Sequence, residues 1–224
     1  MNQKKIAGEK AAEYIQEGMI VGLGTGSTAR YLVDKVGELV KEGLQIQAVP
    51  TSKATELQTR ELGIPLLDIN EVGHIDLAID GVDEIDKNFD AIKGGGGALF
   101  REKIVADLAK EVIWIMDESK LVDHLGKFPL PIEILPYGYK VIYKKLEGYG
   151  FNPIMRKNGD ELFITDNGNY IVDLHLGVSA DINEVKYKIS NIVGVLETGL
   201  FLKMCTRIIV GTDNGVKVIE AKEQ

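Results

Sequence analysis

Residues 75–103 have the sequence IDLAIDGVDEIDKNFDAIKGGGGALFREK and are the most informative stretch of the chain. An apolar run ends at Asp80, a lysine and four glycines follow as Lys93–Gly97, and Glu102 comes at the start of a predicted helix. Glycines let backbone N–H groups approach a ligand closely, and carboxylates transfer protons. We therefore expect a small-molecule site that uses acid–base chemistry on an oxygen-rich substrate.

The segments on either side of this stretch alternate between apolar strands and amphipathic helices. The predicted strands are 19–23, 45–50, 64–67, 75–79 and 112–116, and the predicted helices are 3–17, 27–40, 52–62 and 99–110. Strands that are apolar throughout and alternate with helices are typical of a parallel sheet covered on both faces. The pattern predicts an α/β fold.

The pattern changes after Lys127. A proline-rich extended segment, a helix at 139–149, two strands that turn at Asn167-Gly168, a helix at 182–192 and a strand at 196–201 follow in order. This β-α-β-β-α-β order predicts a small α+β (ferredoxin-like) domain over 128–202. The tail is typical of a hairpin that turns at residues 213–215 and returns to the main sheet. The larger domain is therefore expected to comprise 1–127 plus 203–224.

The composition bounds the class of protein. The 224 residues are 45% apolar and 27% charged, which is ordinary for a globular chain, and the net charge of −8 disfavours binding to nucleic acid or to an anionic membrane. No apolar run approaches the roughly 20 residues of a membrane-spanning helix. We expect a soluble, cytoplasmic protein. Cys205 is the sole cysteine, which excludes an internal disulfide, and we expect its thiol to be buried and inert.

A glycine-rich loop, GLGTGST at residues 22–28, joins a predicted strand to a predicted helix. Exposed N–H groups and the helix dipole favour an anion at such a place, and Ser27 and Thr28 add hydroxyl donors. The loop matches neither the dinucleotide-binding fingerprint nor the P-loop. From the residues alone, a phosphate site and a plain tight turn with a capping serine both remain open.

The acids after the central strand form a second candidate group. Asp80 ends an apolar strand, where open α/β sheets bind ligands, and Asp83, Glu84 and Asp86 follow it. Such acids can bind a metal, exchange protons or cap a loop. Their spacing lacks the EF-hand series, and the three histidines lack metal-ligand spacing, so we predict no metal. For Glu84 and Asp86 a solvated acidic loop is a realistic alternative.

The lysine–glycine segment is the third candidate. Four glycines before a helix make a nest of N–H donors, and Lys93 adds a positive charge beside it. Glu102, in the first turn of that helix, either stabilises the helix dipole or serves as a general base. Lys120 follows the strand 112–116 and either pairs with a phosphate or lies on the surface.

These motifs, in this order, resemble ribose-5-phosphate isomerase of the A type. GLGTGSTA, DGVDEID, KGGGGAL, REKI and DESK match that family's characteristic segments, as do LGKFPLPIEILP and TDNGNYIVD in the second half. The resemblance covers essentially the whole chain. It implies a Rossmann-like parallel-sheet domain with a smaller α+β domain. It also implies interconversion of ribose 5-phosphate and ribulose 5-phosphate in the non-oxidative pentose phosphate pathway, without cofactor or metal.

The resemblance also assigns residues. Glu102 matches the proton acceptor, and Asp80, Asp83 and Lys93 are the expected catalytic partners, with the division of roles between the two aspartates left open. The expected substrate-binding residues are Thr25, Gly26, Ser27, Thr28, Asp80, Gly81, Val82, Asp83, Lys93, Gly94, Gly95, Gly96 and Lys120. Lys4 matches an N-terminal basic position of the family, but Lys5 is adjacent, so neither is included. The family suggests a homodimer or homotetramer.

Three other functions are compatible with related folds. An amino-sugar-phosphate deaminase would keep a sugar-phosphate substrate, and a coenzyme A transferase would use its glutamate as a nucleophile on a much longer ligand. A sugar-phosphate sensor domain would bind without turnover. A sensor that regulates transcription normally needs a DNA-binding module, and this chain offers neither a basic domain nor a helix-turn-helix segment. The deaminase and the sensor remain the alternatives.

Overall fold

A six-stranded sheet lies in the larger of the two units into which the chain divides, in a computed structural model that describes residues 2–221. The large unit contains the residues up to Val82, Arg101–Lys120 and the residues from Lys203 onward. The small unit contains Asp83–Phe100 and Leu121–Leu202. The expected division at 127 and 203 therefore differs from the observed units, which assign 83–100 and 121–126 to the small unit as well.

The helices and strands of the described residues are as follows. The helices are α1 Gln3–Ala12, α2 Ser27–Lys41, α3 Lys53–Glu61, α4 Leu99–Asp107, α5 Tyr139–Gly148 and α6 Ile182–Ser190. The strands are β1 Ile20–Leu23, β2 Gln47–Pro50, β3 Ile75–Gly81, β4 Glu84–Ile85, β5 Ala91–Ile92, β6 Ala109–Asp117, β7 Leu130–Ile134, β8 Pro153–Met155, β9 Lys157–Asn158, β10 Glu161–Leu162, β11 Tyr170–Leu174, β12 Val195–Thr198, β13 Leu200–Phe201, β14 Arg207–Thr212 and β15 Gly215–Glu220.

The sheet of the large unit has the strand order β15-β14-β6-β3-β1-β2. All neighbours pair in parallel except the β14–β15 hairpin at the edge. The parallel strands bring their carboxyl ends to one edge, so the residues that follow β1, β3 and β6 lie along that edge. The prediction of an α/β, Rossmann-like fold is confirmed, and so is the return of the terminal hairpin to the main sheet.

Helices α1 and α2 pack over the sheet through apolar side chains. Ala7 and Ala11 of α1 and Leu32, Val33 and Val36 of α2 are fully buried in one core with the strands. The spacing of the α2 residues follows the 3.6-residue period, which is why the sequence predicts this helix so closely.

Some predicted elements end elsewhere in the structure. Helix α1 ends at Ala12 rather than at residue 17. The N–H groups of residues 13–15 bond to the carbonyls three residues earlier instead of four, so the chain forms tighter turns there. The predicted strand 64–67 is reduced to one bridge between Ala48 and Leu66. Strand β6 begins at Ala109 rather than 112, because Ala109 already pairs with Ile75.

The small unit has its own apolar core. Its four-stranded antiparallel sheet has the order β12-β7-β11-β8, and α5 and α6 pack on one face of it through residues such as Ile142, Leu146, Val185 and Ile189. This is the expected β-α-β-β-α-β arrangement. A three-stranded sheet, β13-β5-β4, and a two-stranded one, β10-β9, complete the unit. Among the described helices of both units, none is long and apolar enough to cross a membrane.

Candidate active site

The loop between β1 and α2 presents an uncapped helix N-terminus. Gly26 has a φ of +105°, a conformation that suits glycine, and it supplies no capping side chain to α2. No acidic residue lies in the first turn of the helix. The N–H groups and the positive end of the helix dipole are therefore suited to an anion.

Lys4 of α1 adds a charge to this helix end. Its ammonium lies 3.0 Å from Oγ of Ser27, the first residue of α2. Lys5 lies elsewhere, with its ammonium 3.7 Å from the Glu9 carboxylate. The structure thus distinguishes the two adjacent lysines, which the sequence alone could not. It places Lys4 beside Ser27, a predicted phosphate-binding residue.

The Thr25 and Thr28 side chains are less accessible to a ligand than the loop sequence suggests. Oγ1 of Thr25 lies 2.7 Å from Oγ1 of Thr51, 2.8 Å from Oγ of Ser52 and 3.2 Å from Oγ1 of Thr55. Thr28 is only 8% exposed. Hydroxyls of the 51–55 segment therefore fix the shape of the loop, and its exposed residues are Gly26 and Ser27.

Asp80 at the end of β3 holds the same loop from the other side. It is buried, and its Oδ1 accepts hydrogen bonds from the backbone N–H groups of Thr25 at 2.9 Å and Gly81 at 2.7 Å. Gly24 makes this close approach possible, because a Cβ there would lie 2.5 Å from the Asp80 Cα. Val82, which ends the large unit's first segment, is 8% exposed.

Glu102 is a buried carboxylate in the first turn of α4. Glu102 is only 5% exposed, and the positive end of the helix dipole at this turn attracts negative charge. Val105 of the same helix packs against Gly22 of β1, where no Cβ intervenes. Lys120, the last predicted residue of the large unit, lies in a short 3₁₀ helix directly after β6 and is half-buried.

The remaining predicted residues belong to the small unit and form a turn. Gly94 and Gly97 have φ values of +107° and +81°, and the N–H of Gly97 donates to the Gly94 carbonyl at 3.0 Å. Gly95 and Gly96 at the tip are exposed, whereas Gly94 and Gly97 are buried. The turn therefore presents backbone groups to a ligand without side chains in the way.

Asp83 and Lys93 flank this turn. Oδ2 of Asp83 accepts a hydrogen bond from the Gly95 N–H at 2.7 Å. Lys93 is 2% exposed, and its ammonium lies 5.2 Å from the centre of the Phe201 ring. Its backbone N–H donates to the Gly199 carbonyl at 2.9 Å, which holds the start of the turn in place.

The two acids between these segments have structural roles. Glu84 is 3% exposed and accepts hydrogen bonds from the N–H groups of Gly126 and Phe128, so a solvated loop is wrong for it. Asp86 caps its own turn by accepting from the N–H groups of Asn88 and Asp90. Among residues 2–221, no three His, Cys, Asp or Glu side chains cluster as metal ligands would.

The structure thus assembles two groups. In the large unit, Asp80 contacts the loop of Thr25–Thr28, to which Lys4 also bonds. In the small unit, Asp83 contacts the glycine turn. Arg156 was not predicted from the sequence. Its guanidinium bonds to two carbonyls of that turn, but Arg156 is 61 residues from Gly95 in the chain. No local signal marks such a contact.

Comparison with known sequences gives a consistent set of relatives. The model of the family described as ribose 5-phosphate isomerase A (phosphoriboisomerase A) matches residues 47–215. The chain is 51% identical over 221 residues to a ribose-5-phosphate isomerase A from Limosilactobacillus reuteri, with 98% of this chain and 97% of that protein covered. It is 52% identical to the protein of the same name from Enterococcus faecalis, with 98% of each chain covered.

Solved structures give the same result. The ribose 5-phosphate isomerase A of Methanocaldococcus jannaschii has a TM-score of 0.90 and 38% identity, with 97% of each chain covered. The ribose 5-phosphate isomerase of Plasmodium falciparum has a TM-score of 0.92 and 41% identity, with 98% of each chain covered. A D-ribose-5-phosphate isomerase solved in complex with phospho-erythronic acid has a TM-score of 0.92 and 40% identity, with 98% of this chain and 100% of that one covered.

Proposed function

The chain belongs to the ribose 5-phosphate isomerase A family, and we propose that it interconverts D-ribose 5-phosphate and D-ribulose 5-phosphate by proton transfer through an enediolate, with neither metal nor cofactor. The observation that supports this mechanism best is the buried Glu102 carboxylate at the start of α4, nine residues after Lys93 and five after the last glycine of the turn. Burial shields such a base from water, and the N-terminal end of a helix favours a negative charge.

Glu102 is the proposed base. Its carboxylate removes the proton from C2 of the open-chain aldose, and the C–H electron pair forms the C1–C2 double bond while O1 becomes the enediolate oxygen. The proton of the O2 hydroxyl passes to O1, Glu102 returns the carbon-bound proton to C1, and O2 becomes the ketone oxygen at C2. General acid–base catalysis of this kind contributes about 10²–10⁴-fold.

The glycine turn and Lys93 are the proposed stabilisers of the enediolate. Negative charge develops on oxygen during the reaction, and preorganised N–H donors and a cation stabilise such a charge without reorganising. Gly94, Gly95 and Gly96 supply the backbone, and Lys93 supplies the cation. Removal of one such donor costs about 10²–10³ in kcat in well-studied enzymes.

The β1–α2 loop is the proposed phosphate site. Gly26, Ser27 and Thr28 supply the helix N-terminus, and Lys4 and Lys120 supply positive charge. Phosphate binding away from the reacting carbons holds the substrate in place for the proton transfer. Thr25 contributes through the shape of the loop, because its hydroxyl bonds to the 51–55 segment.

The two aspartates are proposed to assist ring opening and the proton exchange between O1 and O2. Asp80 is the more buried of the two, and one of its oxygens already holds the loop with Thr25 and Gly81. Asp83 is partly exposed and bonds to the glycine turn. We therefore assign the sugar oxygens mainly to Asp83, and to Asp80 a further part in positioning the phosphate loop.

We propose that all of these residues act on a single substrate. Asp83 follows Asp80 by three residues, and Glu102 follows Gly96 by six. Because a residue spans at most about 3.6 Å, the α carbons of Asp80 and Asp83 lie within about 11 Å of one another. Gly81 and Val82 are the backbone that joins the two aspartates.

The decisive experiment follows the conversion of ribose 5-phosphate to ribulose 5-phosphate by wild type and Glu102→Gln, with EDTA present. We expect wild type to turn over and Glu102→Gln to lose about 10²–10⁴ in kcat while still binding the sugar phosphate. Glu184→Gln is the matched control, because Glu184 also lies in the first turn of a helix, α6, and should keep full activity.

Two outcomes would contradict the proposal. A wild-type protein that binds ribose 5-phosphate without turnover would be a sensor, or a deaminase if it released ammonia from glucosamine 6-phosphate. An activity that EDTA abolishes and zinc or magnesium restores would remove the metal-free mechanism.

The wider assignments rest on the family. We propose that the protein works in the cytoplasm, in the non-oxidative pentose phosphate pathway, as a homodimer or homotetramer. Light scattering coupled to gel filtration tests the assembly, and a monomer at catalytic concentrations with full activity would reject it.

A further inference from the structure

Arg156 touches the glycine turn from the side opposite its N–H donors. Its Nη1 donates to the Gly94 carbonyl at 2.7 Å and to the Gly95 carbonyl at 3.1 Å. No motif of the sequence analysis includes this arginine, and the proposed mechanism does not use it.

Asp173 of β11 holds the arginine in this position. Its two carboxylate oxygens accept from Nε and Nη2 of Arg156, so the guanidinium is bound in a bidentate pair. The two side chains are only 14% and 17% exposed. The backbone of Arg156 is fixed as well. Its N–H donates to the Ile171 carbonyl at 2.9 Å, and its carbonyl accepts from the Phe163 N–H at 3.0 Å.

Phe163 then completes the support of the turn. Its ring stands where a Cβ of Gly97 would lie, and the Arg156 guanidinium lies 5.9 Å from the centre of the same ring. The turn is therefore packed at Gly97 and hydrogen-bonded at Gly94 and Gly95, and only its tip is exposed.

The direction of the N–H groups follows from the planarity of the peptide bond. In a trans peptide the carbonyl of one residue and the N–H of the next point in opposite directions. Because the Gly94 carbonyl faces Arg156, the Gly95 N–H points away from it, and this N–H does donate to Asp83. Because the Gly95 carbonyl also faces Arg156, the Gly96 N–H likewise points away.

We propose that Arg156, held by Asp173, is a positioning residue that orients and polarises two peptides of the glycine turn. Through the Gly94–Gly95 peptide it directs the Gly95 N–H to Asp83. Through the Gly95–Gly96 peptide it directs the Gly96 N–H to the enediolate charge. A cation on a carbonyl strengthens the N–H donor of the same peptide, since hydrogen bonds in a chain polarise one another. The inference rests on the proposed isomerase function, in which this turn meets the developing charge.

The test compares Arg156→Met with Arg207→Met in the full-length protein. Arg207 is a matched control, because its side chain is also mostly buried, at 19% exposed, and pairs with a carboxylate, that of Glu220. It belongs to the large unit, whereas the glycine turn belongs to the small one. We expect Arg156→Met to lower kcat about 10²-fold, as for loss of one oxyanion donor, while KM changes less than about threefold. Arg207→Met should keep kcat even if it lowers the melting temperature.

Two further readouts separate positioning from a structural role. Phospho-erythronic acid has a carboxylate in place of the enediolate oxygens, so its affinity should fall in Arg156→Met while that of inorganic phosphate stays. Added guanidinium should partly restore kcat in Arg156→Ala but not in Arg207→Ala. If Arg156→Met does not fold, Asp173→Asn carries the test, with a smaller loss of kcat in the same direction.

Failure of this inference is distinguishable from failure of the proposed function. An inactive wild type would reject the isomerase itself. An active wild type with unchanged kcat in the folded Arg156 variant, or in Asp173→Asn where that variant carries the test, would reject only the positioning role. Equal losses of affinity for phospho-erythronic acid and for inorganic phosphate would also reject it.

Discussion

The Thr25 hydroxyl forms its hydrogen bonds within the protein. The resemblance to the family includes Thr25 among the substrate-binding residues, yet its hydroxyl bonds to Thr51, Ser52 and Thr55. These partners lie 26–30 residues further along the chain, so the loop sequence alone contains no sign of them. In the proposed phosphate site, the loop would therefore contribute chiefly its backbone and Ser27.

Lys4 and Lys5 provide a test at the same scale. We expect Lys4→Ala to raise KM for ribose 5-phosphate at least about tenfold with little change in kcat, since a hydrogen bond to a charged group contributes about 1.5–3 kcal/mol. Lys5→Ala is the control, because Lys5 is exposed and pairs only loosely with Glu9. Steady-state kinetics of both variants checks this, and equal effects of the two substitutions would remove Lys4 from the phosphate site.

Cys205 confirms the expectation of a buried thiol. Burial raises its pKa to about 12, and its Sγ donates to the Arg207 carbonyl at 3.0 Å. We expect an aromatic disulfide reagent at pH 8 to react with the native protein roughly 10³-fold more slowly than with the urea-unfolded chain, because the thiolate is the reactive form. Similar rates in the two states would show that the thiol is accessible.

At the scale of elements, periodicity predicts most of the fold and contacts decide the ends. The apolar stripe of α2 specifies that helix from Ser27 onward, because burial on one face repeats with the helical period. The ends of α1 and β6 depend on which backbone groups pair, and a local pattern contains no such information. The same limit hides Arg156, whose bonds to the glycine turn join distant segments.

The junction of β1 and α2 gives a prediction for an element. We expect Gly24→Ala to lower both the melting temperature and kcat/KM, because the added Cβ would lie 2.5 Å from the Asp80 Cα, a backbone atom that cannot rotate away. Overpacking of this kind costs about 1–3 kcal/mol. Thermal unfolding and steady-state kinetics measure the two effects.

Gly73→Ala is the matched control for this substitution. No heavy atom lies within 4 Å of a Cβ built on Gly73, so an added methyl meets open space. Its stability and activity should equal those of wild type. If Gly24→Ala behaves in the same way as Gly73→Ala, the close packing of the loop on Asp80 is not needed for function.

At the scale of the whole chain, the sequence predicts two bodies but not their boundary. The change of pattern after Lys127 marks a real difference in topology, from a parallel sheet to an antiparallel one. Residues 83–100, however, pack with the small unit although they continue the sheet-end motif of the large one. Short strands such as β4 and β5 owe their existence to pairing with each other and with β13, so periodicity does not reveal them.

The pH dependence of global stability tests how the central strands are tied together. Asp76 on β3 has a lowered pKa, because its carboxylate bonds to the Lys110 ammonium of β6 and accepts from the Ile20 N–H of β1. His74 lies 3.1 Å from the same carboxylate and favours its ionised form when protonated. One side chain therefore joins three strands of the large sheet.

A lowered folded-state pKa means that Asp76 stabilises the protein only while it is ionised. Its contribution is complete above the unfolded-state pKa of about 3.9 and disappears as the pH falls through the lower folded-state pKa. We expect Asp76→Asn to lower the free energy of unfolding by about 1–3 kcal/mol near pH 7, and the difference from wild type to vanish in strong acid. Urea unfolding of both proteins at a series of pH values measures this difference.

A Lys110→Met background provides the control. There the effect of Asp76→Asn on the free energy of unfolding should shrink by only about 0.2–1 kcal/mol, because Lys110 is largely exposed. A difference between wild type and Asp76→Asn that stayed constant down to strong acid would show that the ionised carboxylate is not what ties these strands.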